Sequence, residues 1–449
     1  MFEKILIANR GEIAVRIIRA CKEMGIQTVA IYSEADREAL HVELADEAVC
    51  VGPGRVTDSY LHQANIIEAA KGTGAEAIHP GFGFLSENSS FARRCQEEKL
   101  VFIGPNPEMI DAMGNKSEAR ALMIANKVPV VPGSEGPLKD KTEALQLAQA
   151  IGYPVILKAS SGGGGRGMRV VRDRAGLENA YDMAAGEAKI AFGDGTLYLE
   201  KYIENPKHIE IQILGDHYGQ LIHLGERDCS MQRRHQKVLE EAPSAVLSEA
   251  LRQEMGSIAV QAAKAVAYNS IGTVEFLLDQ QGHFYFIEMN TRIQVEHPVT
   301  EMVTGRDLVR WQIEIAAGEP LGCSQAQVNL SGHAIECRIN AENPDLQFRP
   351  CPGLIEALHL PGGYGVRIDS AIYQGYEVPA LYDSMLAKLI VHGKDRAEAM
   401  ARMKRALDEF IVQGIDTNIS FQRALIESQD FQAGTFHTGT IESYRPNEG

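Results

Sequence analysis

No stretch of this chain approaches the eighteen or so apolar residues that a membrane-spanning helix needs, and the apolar run in its first dozen residues is too short for a signal peptide. Cysteine is sparse: seven residues, at 21, 50, 95, 229, 323, 337 and 351, odd in number and never spaced as CxxC. That argues against a disulfide framework and a zinc ribbon, and it fits a reduced, cytoplasmic compartment. Basic residues are outnumbered, 44 Lys and Arg against 60 Asp and Glu, and the net charge of −16 speaks against nucleic acid or an anionic membrane surface as the main partner. Two phosphate-binding signatures are also missing. Neither early strand end carries GxGxxG, which disfavours a dehydrogenase, and no Lys-Ser/Thr closes a Walker A loop after the glycine run.

What is present is a long alternation of elements. At 449 residues the chain exceeds one ordinary core, so two or three domains are expected. Lys4–Asn9 reads as a short apolar strand running into a helix at Arg10–Met24. Ala14, Ile17, Ile18 and Cys21 form its i, i+3, i+4, i+7 stripe, and Gly25 is the stop. Strand-like runs recur at Thr28–Ser33, Ala48–Gly52, Ala75–His79 and Leu100–Ile103, with helical runs at Tyr60–Lys71 and Ser89–Lys99 between them. This predicts a doubly wound parallel sheet over residues 1–103, with ligands beyond the C-terminal strand ends. Asn9–Glu12 and His79–Asn88 lie at such ends. The second is a tight loop or a site contribution from Glu87.

Residues 104–130 read as a helical connector, with Lys116 near a helix start. A strand at Pro154–Ala159 is followed by Ser160–Met168, with four consecutive glycines, and by a return strand at Arg169–Val171. Such a loop lets backbone amides approach an anion closely; a merely flexible hairpin is the alternative. Lys158 favours the anion, because a lysine within an apolar strand is costly to bury without an anionic partner. Leu197–Ile203, interrupted by Glu200 and Lys201, can hinge the lid and offer backbone groups to a purine.

The most telling stretch is Phe284–Pro298, FYFIEMNTRIQVEHP. Glu288, Asn290, Arg292, Gln294 and Glu296 recur at a spacing of two, so an extended segment turns all five to one side. They face either a cleft or water. Arg292 is a fixed cation able to hold an oxyanion. Upstream, His208–Leu214 sets His208, Glu210 and Gln212 on one face. Leu221–Glu226 is a strand, and Glu226–Lys237 reads as a basic loop pinned by Val238–Pro243. A helix is expected at Ser248–Tyr268. Gly272–Asp279 carries Glu275 alone among apolar residues, and a turn at Gln280–His283 pairs it with the Phe284 strand. Glu275 and Glu288 then fall nearly opposite each other. Facing carboxylates repel unless a cation lies between them, and Mg²⁺ with nucleotide phosphates, with Asn290 as a further oxygen ligand, is the simplest remedy.

ILIANRGEIAVRIIRA, AIHPGFGFLSEN, the glycine-rich lid, ERDCSMQRRHQKVLEEAP and FIEMNTRIQVEHPVTE together closely resemble the ATP-grasp family and, within it, the biotin carboxylases, over essentially the whole chain. The resemblance implies an α/β and α+β multidomain protein: a Rossmann-like domain at 1–103, the connector at 104–130, an ATP-grasp lid at 131–203, and a catalytic and C-terminal domain with a mainly antiparallel sheet at 204–449. It implies ATP contacts at Lys116, Lys158, Glu200, Lys201, Tyr202, Ile203, His208, Gln232, His235, Glu275 and Glu288, with Gly164 and Gly165 over the phosphates. Glu275, Glu288 and Asn290 look like ligands for Mg²⁺ or Mn²⁺. Lys237, Arg292, Gln294, Val295 and Glu296 look like the bicarbonate site, with Glu296 as general base. Arg338, in the strand His333–Asn340, would contact bicarbonate and stabilise the biotin enolate. Two positions depart from the family pattern. Ser161 stands where a glycine is common, and Phe82 where a tyrosine is common near the biotin pocket.

Towards the C-terminus, Cys351–Gly365 reads as loops, and a helix is expected at Arg396–Phe410 with Ala397, Met400, Met403 and Leu407 inward. Cys229 reads as a structural thiol. Met403-Lys404 is the only Met-Lys pair and lacks the Ala-Met-Lys-Met setting of a biotin attachment site, so biotin is expected on a separate carrier protein. The resemblance further implies a homodimer working with carboxyltransferase subunits in acetyl-CoA carboxylase, making malonyl-CoA for fatty acid synthesis. A pyruvate or other acyl-CoA carboxylase stays open, as does another ATP-grasp ligase. A silent regulatory subunit should have lost Glu296, Arg292 or a metal carboxylate, and all are present.

Overall fold

A computed structural model describes residues 1–159, 168–192 and 195–443. Gly164 and Gly165 lie outside the described residues. The expected N-terminal alternation is found: strands β1 (Lys4–Ile7), β2 (Gln27–Ser33), β3 (Glu47–Gly52), β4 (Ala77–His79) and β5 (Val101–Phe102) form a parallel sheet in the order β3-β2-β1-β4-β5. The helix α1 (Gly11–Glu23) buries the predicted Ala14, Ile17, Ile18 and Cys21 stripe. Strand order reverses between β1 and β4, where doubly wound sheets open a crevice. Two loops meet there. The Asn9 side-chain amide donates to the carbonyls of Pro80 and Phe82 at 2.7 and 2.8 Å. Gly81 is at φ +63°, and a Cβ on it would fall 2.9 Å from the Asn9 amide nitrogen, so the loop requires glycine there.

Strands β6 (Val155–Ala159), β7 (Met168–Val171) and β8 (Leu197–Lys201) make a small antiparallel sheet, β7-β6-β8, backed by the helices Lys141–Ile151 and Arg174–Phe192. Its inner face buries Val155, Leu157 and Leu199. Lys158 falls on the other face, about a third exposed, paired with Glu200. The anionic partner seen here is a side chain of the adjacent strand β8.

The large sheet is antiparallel throughout: β13 (Phe284–Asn290), β12 (Ile271–Leu278), β9 (Lys207–Gly215), β10 (Leu221–Arg233), β11 (Gln236–Ala242), β14 (His333–Asn340), then Met385–Gly393 and Val366–Ser370. Period-two alternation in β9 sends Ile209, Ile211 and Ile213 into the core beneath the helix Glu249–Lys264. Its His208, Glu210 and Gln212 take the opposite side. The basic run Glu226–Lys237 is not a loop. It continues β10, turns at Arg234 and His235, and returns as β11. Its charges are tolerated in a sheet because β9 supplies their counter-charges. Ile5, Ile7 and Ile17 share one core with Leu214, Ile271, Ile293 and Leu308, which joins the parallel sheet to the large one. The helix Arg396–Glu409 covers the far strands with Ala399, Met403, Ala406 and Leu407, while Ala397 faces outwards. Among the described residues no helix is long and apolar enough to cross a membrane.

Candidate active site

A cavity of about 1420 Å³ opens between the small sheet, the large sheet and the loops at the β1/β4 crevice. Every described residue assigned above to nucleotide, metal, bicarbonate or biotin lines it. The β12–β13 hairpin forms its floor. Glu275 and Glu288 are direct cross-strand partners, as the turn arithmetic predicts, and a bulge just beyond Glu275 shifts the register so that Phe276 faces Phe286. Glu275 is saturated with donors. Its Oε1 accepts from Lys237 Nζ (2.9 Å), Asn290 Nδ2 (3.0 Å) and Gln294 Nε2 (3.1 Å), and its Oε2 lies 3.1 Å from His208 Nε2. Burial would raise its pKa, but Lys237 and His208 outweigh burial and hold the carboxyl well below the usual range. Glu288, more exposed, lies 3.1 Å from Lys116 Nζ. Two carboxylates on neighbouring strands and an amide oxygen form a hard-donor set that suits Mg²⁺, and the two lysines neutralise it here.

The strand ends at Asn290, which corrects one expectation. Thr291–Glu296 is irregular, because a helix starts at His297 and its first turn draws the chain round: both His297 N and Nδ1 lie within hydrogen-bonding distance of the Gln294 carbonyl. The five polar residues still enter one cleft, gathered by side-chain bonds instead of a common strand face. Arg292 donates to Glu87 Oε2 (2.9 Å), Asn290 Oδ1 (2.9 Å) and Gln294 Oε1 (2.9 Å). Glu87 also accepts from the Thr291 N–H at 3.0 Å, so the β4 loop contributes a site carboxylate. Glu296 is buried and bridged: Oε1 accepts from Lys237 Nζ (2.6 Å) and Oε2 from Arg338 Nη2 (2.9 Å). Val295 lines the cavity beside it. Lys237 is shared among Glu210, Glu275 and Glu296. Burial alone would lower its pKa, but these carboxylates hold it well above the ordinary lysine value.

In the lobe under the small sheet lie Lys158 and Glu200, paired, with Tyr202 and Ile203 at the strand end. The Lys201 ammonium is turned onto the carbonyls of Gly152 and Tyr153 (3.1 and 2.8 Å), so its charge is spent within the lid. Gln232 is buried and donates to the Cys229 carbonyl at 2.9 Å. His235 is exposed in the β10–β11 turn, at φ +64°.

Residues 1–110 match the family described as biotin carboxylase, N-terminal domain; residues 336–443 match biotin carboxylase C-terminal domain; residues 115–324 match carbamoyl-phosphate synthase L chain, ATP binding domain. Biotin carboxylase 1 of Bacillus subtilis is 57% identical over 99% of both chains. The chain belongs to the biotin carboxylase family. Among solved structures, the Campylobacter jejuni biotin carboxylase–β,γ-ATP complex superposes with a TM-score of 0.92 at 50% identity, covering 99% of each chain. The biotin carboxylase domain dimer of Hydrogenobacter thermophilus 2-oxoglutarate carboxylase, in complex with MgADP, ADP and bicarbonate, gives 0.90 at 53%, covering 99% and 100%. The biotin carboxylase component of a pyruvate carboxylase gives 0.89 at 53%, again covering 99% and 100%. The biotin carboxylase architecture, a parallel N-terminal sheet joined to an ATP-grasp unit with a mainly antiparallel sheet, is therefore the fold of this chain.

Sequence reasoning missed three groups behind this biotin carboxylase cleft, Arg227, Glu240 and Lys388. Arg227 is fully buried and donates to Glu210, to Gln212 (2.7 Å), to Thr300 (2.9 Å) and to Thr273 (3.0 Å). Glu210 thus braces Lys237 from behind. Glu240 accepts from Arg338 Nε at 2.6 Å and aims the guanidinium at Glu296. Cys229 is buried 3.9 Å from Glu296, and burial pushes its thiol well above its ordinary value, so the structural reading stands. Lys388, in an apolar strand, carried the same signal that singled out Lys158.

Proposed function

We propose that this cleft carboxylates biotin in two stages, using ATP, bicarbonate and Mg²⁺ or Mn²⁺. Family membership makes the chain an ATP-dependent ligase; the residue roles are our own reading. Glu296 takes the proton of bicarbonate, and the resulting nucleophile attacks the γ-phosphoryl of ATP to give carboxyphosphate and ADP. Lys116, Lys158 and the glycine-rich loop offset phosphate charge, while Glu275, Glu288 and Asn290 would hold the metal ion, which supplies further charge neutralisation. Positioning and electrostatics then provide most of the acceleration. Carboxyphosphate breaks down to CO₂ and phosphate beside biotin. The phosphate removes the ureido proton, Arg338 stabilises the enolate oxygen, and N1′ captures CO₂.

The observation that carries this reading is Glu296 held between Lys237 and Arg338, at hydrogen-bonding distance from both and in one cavity with Arg292, Lys116 and Lys158. A proton acceptor, an anion clamp and phosphate-facing lysines are what joining bicarbonate to a phosphoryl group requires. ADP release by the purified chain, with and without bicarbonate and free biotin, tests it. Turnover indifferent to both would overturn the reading.

The chain serves, in this proposal, as the biotin carboxylase component of an acetyl-CoA carboxylase in the cytoplasm, as a homodimer, passing carboxybiotin on a carrier protein to carboxyltransferase subunits. The family and a dimeric relative support the carrier and the dimer. The pyruvate carboxylase component, 53% identical, keeps a second acceptor in view. Mixing the chain with biotinylated carrier and carboxyltransferases of each type, and measuring malonyl-CoA against oxaloacetate, separates them.

A further inference from the structure

Lys388 lies within the strand Met385–Gly393, between Ala387 and Leu389, and is entirely buried. A buried ammonium is unfavourable unless it is both paired and hydrogen-bonded. Its partners come from three separate parts of the chain. Nζ is 3.1 Å from Glu12 Oε1 on α1 and 3.8 Å from Asp369 Oδ2 on the adjacent strand. Its hydrogen bond goes to a main-chain carbonyl, that of Val295, at 2.9 Å.

Val295 separates Gln294 from Glu296 in the irregular segment, where no strand ladder fixes the peptides. The flanking carbonyls are satisfied within the segment and the helix it starts: Gln294 O by His297, and Glu296 O by the Val299 N–H. The Val295 carbonyl is instead held from outside, by Lys388. Releasing it frees the peptide that carries the Glu296 backbone nitrogen. The Glu12 carboxylate, for its part, is buried in ion-pair contact with Lys388 and takes no other hydrogen bond. The pair ties α1 to the catalytic segment.

We propose that Lys388 is a positioning residue for bicarbonate activation: it locks the 295–296 peptide, and through it the Glu296 carboxylate, from the far side of the cleft. Glu12 keeps that ammonium charged and in place. This rests on the bicarbonate reading of Glu296 given above.

The test uses the full chain and two variants. Lys388→Met keeps the length of the side chain but removes its charge and donor. Bicarbonate-dependent ADP release should fall at least about tenfold, with a raised KM for bicarbonate, because small misplacements of a reacting group are costly in rate. ADP affinity, measured by calorimetry without bicarbonate, should stay within about twofold, since none of the residues that Lys388 touches, Glu12, Asp369 and Val295, is one assigned to the nucleotide. An uncompensated Glu12 can unfold that variant, so Glu12→Gln/Lys388→Met removes both charges together and should fold with the same bicarbonate defect. A folded double variant with wild-type rate and bicarbonate KM overturns the inference. So does a loss of ADP affinity as large as the loss of turnover. A wild-type chain indifferent to bicarbonate sinks the functional reading and this inference together; a responsive wild type beside an equally responsive double variant sinks this inference alone.

Discussion

The Glu296 carboxylate is buried, and burial alone would raise its pKa; Lys237, Arg338 and Arg227 outweigh burial and hold it well below the ordinary range. It is therefore ionised and ready to accept a proton throughout the neutral range. It is also a weak base while both cations hold it. In the proposed mechanism, an anion bound beside Arg292 would compete for Lys237 and Arg338, loosen their hold, and raise the basicity of Glu296 when the proton must move. Glu296→Gln keeps the shape and removes the proposed base. Bicarbonate-dependent ATP cleavage should fall by about 10²–10⁴-fold, the usual worth of a general base, with nucleotide affinity near wild type. Undiminished turnover would place the base elsewhere. Arg338, whose guanidinium spans Glu240 and Glu296, is proposed to have a different task. Arg338→Ala should slow biotin carboxylation much more than it weakens ATP binding, measured by carboxybiotin formation and by nucleotide titration. Equal losses would contradict its role at the enolate.

Among the elements, the β10–β11 hairpin has a backbone its sequence did not announce. Its two turn residues, Arg234 and His235, both have positive φ, +51° and +64°, a conformation that two-residue hairpin turns normally give to Asn-Gly. His235 lines the cleft, whereas Arg234 does not. Arg234→Gly should therefore stabilise the protein by about 0.5–1 kcal/mol through relief of the left-handed backbone, read as a raised Tm. A lowered Tm would show that the arginine side chain makes a contact worth more than that relief. The same hairpin marks where sequence reading stops. Period-two patterns were decisive in β9, β12 and β13, because isolated polar residues among apolar ones fix which side faces the cleft. The run from Glu226 to Lys237 hid its strand because its charges are neutralised by β9, whose partnership cannot be seen locally. Past Asn290 the spacing of two survives but the strand does not, since the helix at His297 bends the chain first. The site was legible despite this because its side chains hold one another.

Across the whole molecule, the sheet encloses carboxyl groups pulled in opposite directions. Glu275 and Glu296 sit below the usual range, so their contribution to stability is present above the unfolded value near 4.3 and lost as pH falls through their folded values. Glu240 and Glu336 face each other across β11 and β14, both fully buried. Burial, opposed by Arg338, pushes Glu240 up to about 7; burial, opposed by Lys388, pushes Glu336 well above its ordinary value. Neither Glu336 oxygen has a hydrogen-bond partner to offset its burial. For these two the sign reverses: their stabilising contribution is complete below the unfolded value and is lost as pH rises towards the folded one. Gln is the permanent neutral mimic of a protonated Glu. Glu336→Gln should match wild type most closely near pH 5 and become the more stable protein as pH rises towards 8. The gap should widen by at most about 1.4 kcal/mol per pH unit, the linkage limit for one proton. Thermal unfolding of both proteins at several pH values in that interval measures it. A gap constant with pH would mean that Glu336 ionises alike in the folded and unfolded chains, and that the buried sheet carries no such proton.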